Sequence, residues 1–472
     1  MDRYGNFVGG VERTQGAELP VRSPYDGEIV GTATLADPEV LDAAAEAAVQ
    51  AQPAMAALTR EARSRILERI ADGVAARSEE LARTLSRESG KPIAYARLEA
   101  ARAVDTFRAS ADAARALAGA EIPLDAARPG EGRVAFTRRF PVGPVISITP
   151  FNFPLNLVAH KVGPAIAAGC ANLVKPASAT PLSAILLARI AHEAGVPAGG
   201  LGVVACDRKV GQRLVEDDRF KILSFTGSAE VGWRMKRDAG KKRVVLELGG
   251  NAAAIVLADA DVDHAAARCA TGGYYQAGQS CISVQRVIAH RDVYARLRDA
   301  LADRARATPF GDPALAETVS GPVIDEANAR RIEAWVGEAR AAGARELAGG
   351  ERRGAVVPPT LLERAPRDAR VVAEEVFGPV IVLDEVGSVE EAIRVAGATR
   401  FGLQCGIFTR DVRALLSAWD TIEVGGIIHD DAPAFRVDLM PYGGVRDSGL
   451  GREGPRYAVE EMTEPRLLVL RR

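Results

Sequence analysis

The chain has 472 residues, with 60 Lys and Arg against 62 Asp and Glu, a formal net charge of -2 and 47% hydrophobic residues. That is ordinary soluble globular usage, long enough for two to four domains and for a core that needs no disulfide or structural metal. The charge balance gives no support to nucleic-acid binding or to a polybasic membrane surface, and no apolar run approaches the roughly 18 residues of a membrane span.

In chain order, the opening hexapeptide 1–6 leads into no apolar run, so no signal peptide is expected. Apolar runs and turns up to residue 35 read as small strands. Asp37, Pro38 and Glu39 start a helix by capping, by fixed backbone and by charge at its first turn. Two further helical stretches are predicted over 59–86 and 93–118, with Gly119 as a stop signal. Residues 133–140 alternate at period two, as a half-exposed strand does.

From 141 onward, short apolar strands at 145–149, 171–174, 202–205, 222–225 and 244–247 alternate with helical sequence, which predicts an α/β chain with a parallel sheet covered on both faces. The rhythm recurs over 263–380 and 386–430 as a second α/β domain. Residues 467–470 form a terminal strand that either completes another subunit's sheet or pairs within the chain. Cys170, Cys206, Cys269, Cys281 and Cys405 contain no C-x-x-C pair and the five histidines are scattered, so no metal site is expected and a reducing cytoplasm fits.

No G-x-G-x-x-G follows a strand. Instead FTGSAEVG at 225–232 joins a strand to a helix whose N-terminus can hold a pyrophosphate. LELGGN at 246–251 sets Glu247 at a strand end before two glycines. GQSC at 278–281 sets Cys281 after a glycine near a predicted helix start, where a thiol is exposed and its pKa lowered. Asn152, among Pro150, Phe151, Phe153 and Pro154, can donate to an oxyanion, and Lys175 puts an ammonium at the carboxyl edge of the sheet. Each of these alone also fits a plain turn or a small buried residue. Together they supply a base and a nucleophile that need no histidine.

These segments, with TPFNFP at 149–154, LVKPAS at 173–178, EEVFGP at 374–379, PYGG at 441–444 and SGLG at 448–451, resemble the NAD(P)-dependent aldehyde dehydrogenase superfamily over essentially the whole chain. The resemblance implies an aldehyde dehydrogenase-like fold: a Rossmann-type cofactor domain over 1–122 and 141–248, a catalytic domain over 249–440, and a small β oligomerisation element with the C-terminal segment over 123–140 and 441–472. It implies Cys281 as nucleophile, Asn152 and the Cys281 backbone N–H as oxyanion donors, and Glu247 as activator of the water that hydrolyses a thioester. It further implies that NAD or NADP is held by Lys175, Ser178, Thr226, Gly227, Ser228, Gly232, Glu375 and Phe377, and that the protein forms homodimers or homotetramers. Relatives that pass the acyl group to coenzyme A generally lack this glutamate, so Glu247 implies a non-acylating enzyme.

Residues 281–286 and 430–438 look most like the lactaldehyde and glycolaldehyde dehydrogenase branch, which points to a small polar or anionic aldehyde. Arg102, Arg108, Arg286 and Arg436 are the candidate anion-binding residues. Ser178 stands where NAD-selective branches often carry a glutamate, leaving NADP use open, and His429 stands where many relatives have asparagine. The rival readings are a succinate semialdehyde dehydrogenase of central metabolism, an esterase acting through Cys281, and a non-catalytic protein that kept the fold.

Overall fold

Two parallel sheets organise the chain, and both carry their functional segments at the carboxyl ends of their strands. In the computed structural model, which describes residues 3–472, the first sheet has eight strands. Its parallel centre runs Arg243–Glu247, Ile222–Thr226, Val145–Ile148, Asn172–Lys175 and Leu201–Val203. Gly449–Leu450 closes one edge antiparallel, and Asn6–Val8 with Val11–Arg13 closes the other. Met1 and Asp2, the first residues of the hexapeptide in which no signal peptide is expected, lie outside the described residues.

The order in which strands are added to this sheet reverses between Val145–Ile148 and Ile222–Thr226, parallel neighbours that are adjacent in space and distant in sequence. Such a switch point opens a crevice at the carboxyl ends of the strands, the usual place for a ligand. The wholly buried helix Asn156–Ala168 lies between the sheet and the long helix Ile93–Ala116. The second sheet runs Arg345–Ala348, Thr360–Glu363, Val380–Val386, Arg286–His290, Ala253–Val256, Gln404–Phe408 and Gly426–His429, parallel except for the first strand.

The α/β reading holds, with a separate small sheet of Thr463–Arg471, Arg133–Pro141 and Glu121–Ile122 beside the two large ones. The predicted cap at Asp37 forms, its carboxylate accepting from the N–H groups of Glu39 and Val40 at 3.0 and 2.8 Å. The single helix predicted over 59–86 is two, Arg60–Ala76 and Ser78–Ser89, because Arg77 leaves helical geometry at φ -110°, ψ 20°. The helix Leu182–Glu193 begins where the buried Glu88 carboxylate accepts from the Leu182 and Ser183 N–H groups. The terminal strand Thr463–Arg471 pairs antiparallel with Arg133–Pro141 of its own chain. Leu467, Leu468, Val469 and Leu470 nevertheless remain exposed. Among the described residues, no helix is long and apolar enough to cross a membrane.

Candidate active site

Register explains why distant segments meet. Thr226 pairs with Glu247, and Phe225 with Ile148, so three strands end level with one another. From those ends emerge the 149–155 loop with Asn152, the Gly227–Ser228 turn, and Glu247 itself. They open into a cavity of about 830 Å³ that also receives Cys281, Glu375, Phe377 and Tyr442 from the other half of the chain.

Cys281 is not at a helix start, as the sequence suggests. The helix Val262–Tyr274 ends before it, and Gln276, Ala277 and Gly278 turn the chain with φ of 52°, 54° and 64°. A Cβ at Gly278 would meet the Gly378 carbonyl oxygen at 2.2 Å, so only glycine fits there. Without a helix terminus to help it, the thiol is pushed up to about 12 by burial, and the Tyr442 hydrogen bond and the Arg436 charge only partly oppose this. Its sulfur lies 2.8 Å from the Tyr442 hydroxyl.

Asn152 donates one amide N–H to the Gln279 carbonyl at 3.0 Å. An amide nitrogen carries two N–H groups, and the second remains for an oxyanion. Glu247 is buried with no partner on either carboxyl oxygen among the described residues. Burial and repulsion from Glu453 push its carboxyl well above the usual range, while Arg436, Lys161 and Arg452 offset part of the rise. A buried carboxyl with unspent oxygens is costly as structure and suited to a general base whose partner is water or substrate.

Behind Glu247 lies a buried ionic network that engages the two candidate arginines, Arg102 and Arg436, with Glu453, Lys161, Asp438 and His160, for which no site role was expected from the sequence. Glu453 accepts from Lys161 at 3.2 Å and from Arg436 at 3.2 Å. Burial works against its charge, but Lys161, His160 and Arg436 outweigh that and hold it at about 2. Asp438 accepts two bonds from Arg102 at 2.7 and 3.0 Å and lies 2.8 Å from His160. The available sequence signal is the pair His160-Lys161 inside an otherwise apolar, wholly buried helix: two cationic side chains there require anionic partners.

The remaining half of the cavity fits a dinucleotide. Thr226, Gly227 and Ser228 line it, and Ser228 starts the ten-residue helix Ala229–Asp238 without spending its side chain on a cap. The open N–H groups of such a helix end attract phosphate. Glu375 accepts from the Gly250 N–H at 2.9 Å and is pushed up to about 7 by burial. A Cβ at Gly249 would lie 2.2 Å from its carboxylate, so the glycine makes room for it. Phe377 holds a left-handed φ of 49° and meets Phe151 edge-on at 5.8 Å. Lys175, level with Ile148 in the next strand, spends its ammonium only on the Pro176 carbonyl, and Ser178 bonds to the Cys206 carbonyl; both lie beyond the cavity around Cys281.

Three expected residues take other places. Gly232 does not line the cavity: a Cβ there would strike Leu248 at 2.4 Å, so it is a packing glycine between helix and strand. Arg108 is exposed and faces Asp72, away from the cavity. Arg286 is buried, but its guanidinium is spent on the carbonyls of Val395, Ala396 and Asn251 on the far side of the second sheet. Arg102 and Arg436 do line the cavity, joined by Arg268 and Arg331, which the sequence did not suggest. His429 closes its loop by a contact of 2.9 Å to the Thr409 carbonyl.

Residues 11–468 match the family described as the aldehyde dehydrogenase family. The chain is 40% identical over 471 residues to 3-sulfolactaldehyde dehydrogenase of Priestia megaterium, covering 100% of this chain and 98% of the relative. It is 36% identical over 458 residues to lactaldehyde dehydrogenase of Methanococcus vannielii, covering 96% and 97%. Among solved structures, aldehyde dehydrogenase 21 of Physcomitrella patens in complex with the reaction product succinate superposes with a TM-score of 0.98 at 43% identity, covering 100% and 98%. NADP-dependent glyceraldehyde-3-phosphate dehydrogenase of Bacillus halodurans complexed with NADP superposes with a TM-score of 0.97 at 32% identity, covering 100% of both chains.

Proposed function

This chain belongs to the aldehyde dehydrogenase family, and we propose that it oxidises a small polar or anionic aldehyde to its carboxylic acid through a thioester on Cys281. NAD- or NADP-dependent oxidation of an aldehyde by a catalytic cysteine is what its relatives and their structures carry over to it. The observation that supports the finer reading is Arg436, which lines the cavity that holds the Cys281 thiol and keeps its Nε without a partner among the described residues, whereas Arg102 and Arg268, which also line it, are each paired with a carboxylate, Asp438 and Asp431.

In this reading the Cys281 thiolate attacks the aldehyde carbon, a C–S bond forms, and the carbonyl electron pair moves to oxygen. The free Asn152 N–H and the Cys281 backbone N–H hold that oxyanion. Bound NAD(P) supplies the acceptor for the hydride that leaves the reacting carbon. Lys175, Ser178, Ser228, Thr226, Gly227, Glu375 and Phe377 bind it. Glu247 then takes a proton from water, the hydroxide adds to the thioester, and collapse breaks the C–S bond, releasing the acid and restoring the thiolate. The same reading assigns 1–122 and 141–248 to cofactor binding, 249–440 to catalysis, and the sheet of 123–140 with the chain's tail to assembly of dimers or tetramers through its exposed leucines. The tail does more than assemble, since Glu453 faces Glu247.

Arg436 is buried, its guanidinium lies 3.6 Å from the centroid of the Tyr442 ring, and its Nε has no partner among the described residues. A cation one ring away from the nucleophile favours a short substrate with its anion near the aldehyde. A panel of glycolaldehyde, lactaldehyde, succinate semialdehyde, phosphonoacetaldehyde, sulfoacetaldehyde, benzaldehyde and hexanal, read as NAD(P)H formation, tests this. Arg436→Met is expected to raise KM for the anionic members about 10- to 100-fold more than for hexanal, the worth of one charge-assisted hydrogen bond, whatever common loss it causes through Glu453 and Tyr442. Hexanal as the best substrate, or an equal loss on every aldehyde, contradicts the anion reading. The succinate-bound relative favours a four-carbon semialdehyde as a second reading within the same panel.

Ser178 presents a hydroxyl where a carboxylate would repel a 2′-phosphate. Both NAD and NADP are therefore expected to support turnover. A preference in kcat/KM for NAD above about a thousandfold, several kcal/mol of discrimination, contradicts dual use.

A further inference from the structure

We propose that Tyr442 is a catalytic residue whose phenol donates a hydrogen bond to the Cys281 sulfur and stabilises the attacking thiolate, an inference that rests on the reading of Cys281 as nucleophile. The 2.8 Å contact is the only side-chain hydrogen bond to that sulfur among the described residues. Among the described residues no helix N-terminus points at Cys281 and no histidine touches it, so the two common ways of activating a thiol are missing there. Glu247 and Glu375 both oppose a negative sulfur. A thiolate in this position therefore needs a donor, and the structure supplies one.

Tyr442 cannot swing away. Its backbone exchanges hydrogen bonds with Glu453 at 3.0 and 2.6 Å, its ring packs with Ile282 and Leu403, and Arg436 covers the ring face at 3.6 Å. In the thiolate form the direction of the bond is set: the sulfur then has no proton to give, and burial and the neighbouring Cys281 charge push the phenol well above its usual range, so it keeps its own proton to donate. A hydrogen bond to the charged form of an acid favours that form. The Arg436 cation over the ring adds electron withdrawal in the same sense.

Tyr442→Phe removes one oxygen and keeps the packing. The test follows alkylation of Cys281 by iodoacetamide against pH in enzyme without nucleotide, with the Cys281 peptide quantified by mass spectrometry. The variant is expected to titrate about one pH unit higher, with alkylation at neutral pH slowed about tenfold. A fluorotyrosine at 442, a more acidic donor in the same place, is expected to move the titration down. It serves equally if the phenylalanine variant does not fold. Titrations that coincide across wild type and variants overturn the proposal and leave Tyr442 a packing residue. Because alkylation needs no substrate, absence of turnover with any aldehyde would count against the proposed function and not against this bond.

Discussion

Cys281→Ala is expected to lose aldehyde oxidation by on the order of 10⁴-fold or more, since removal of a covalent nucleophile removes the reaction path rather than one interaction along it. Nucleotide binding and melting temperature should change little. Cys281 is only partly buried and its apolar neighbours are Ile282, Leu403 and Tyr442, so alanine leaves a small void next to an open cavity. No other cysteine among the described residues can stand in: Cys170, Cys206, Cys269 and Cys405 are all buried, and none lines the cavity. Steady-state NAD(P)H formation with calorimetry of nucleotide binding checks both halves of the expectation. Turnover in the alanine variant within tenfold of wild type would remove Cys281 from the reaction.

Glu247→Gln should separate the two halves of the cycle. Thioester formation does not need a base for water, whereas hydrolysis does, so the variant is expected to give a burst of about one NAD(P)H per active site followed by turnover slowed by about 10²- to 10⁴-fold. The sign of the pH dependence follows from the site. Burial and Glu453 hold the Glu247 carboxyl above its usual range, so the fraction present as carboxylate, and with it the hydrolysis rate, rises as pH climbs through that raised value. The glutamine variant should lose this rise. Rapid-mixing absorbance at several pH values reads burst and steady rate together, and a variant that loses the burst as well as the steady rate would place Glu247 before the thioester.

Much of this site is legible in the chain because its chemistry travels in short segments. Asn152, Glu247 and Cys281 each sit beside prolines or glycines whose spacing is unusual in a strand or helix interior. The parallel strands before them are apolar runs that periodicity finds. What the sequence did not disclose depends on long-range packing. Arg286 and Arg108 are chemically as suited to an anion as Arg436, and only the fold shows one turned to backbone carbonyls and another to solvent. Gly232 carries the same turn-like signature as Gly227, but its missing Cβ makes room for Leu248 rather than for a ligand. Tyr442 lies in a recognisable segment, yet its role arises from a sulfur 161 positions earlier in the chain. The Glu453–Lys161 pair joins a tail residue to a buried helix across 292 positions, a distance that no local pattern spans.

Mass spectrometry of Glu247→Gln mixed with its best aldehyde and nucleotide reads the trapped thioester itself. The expected result is a mass increase equal to the acyl group less the thiol hydrogen it replaces, confined to the peptide containing Cys281 and absent when nucleotide is left out. An unmodified Cys281 peptide alongside a measured burst of NAD(P)H, or an acyl group found on another residue, would contradict it.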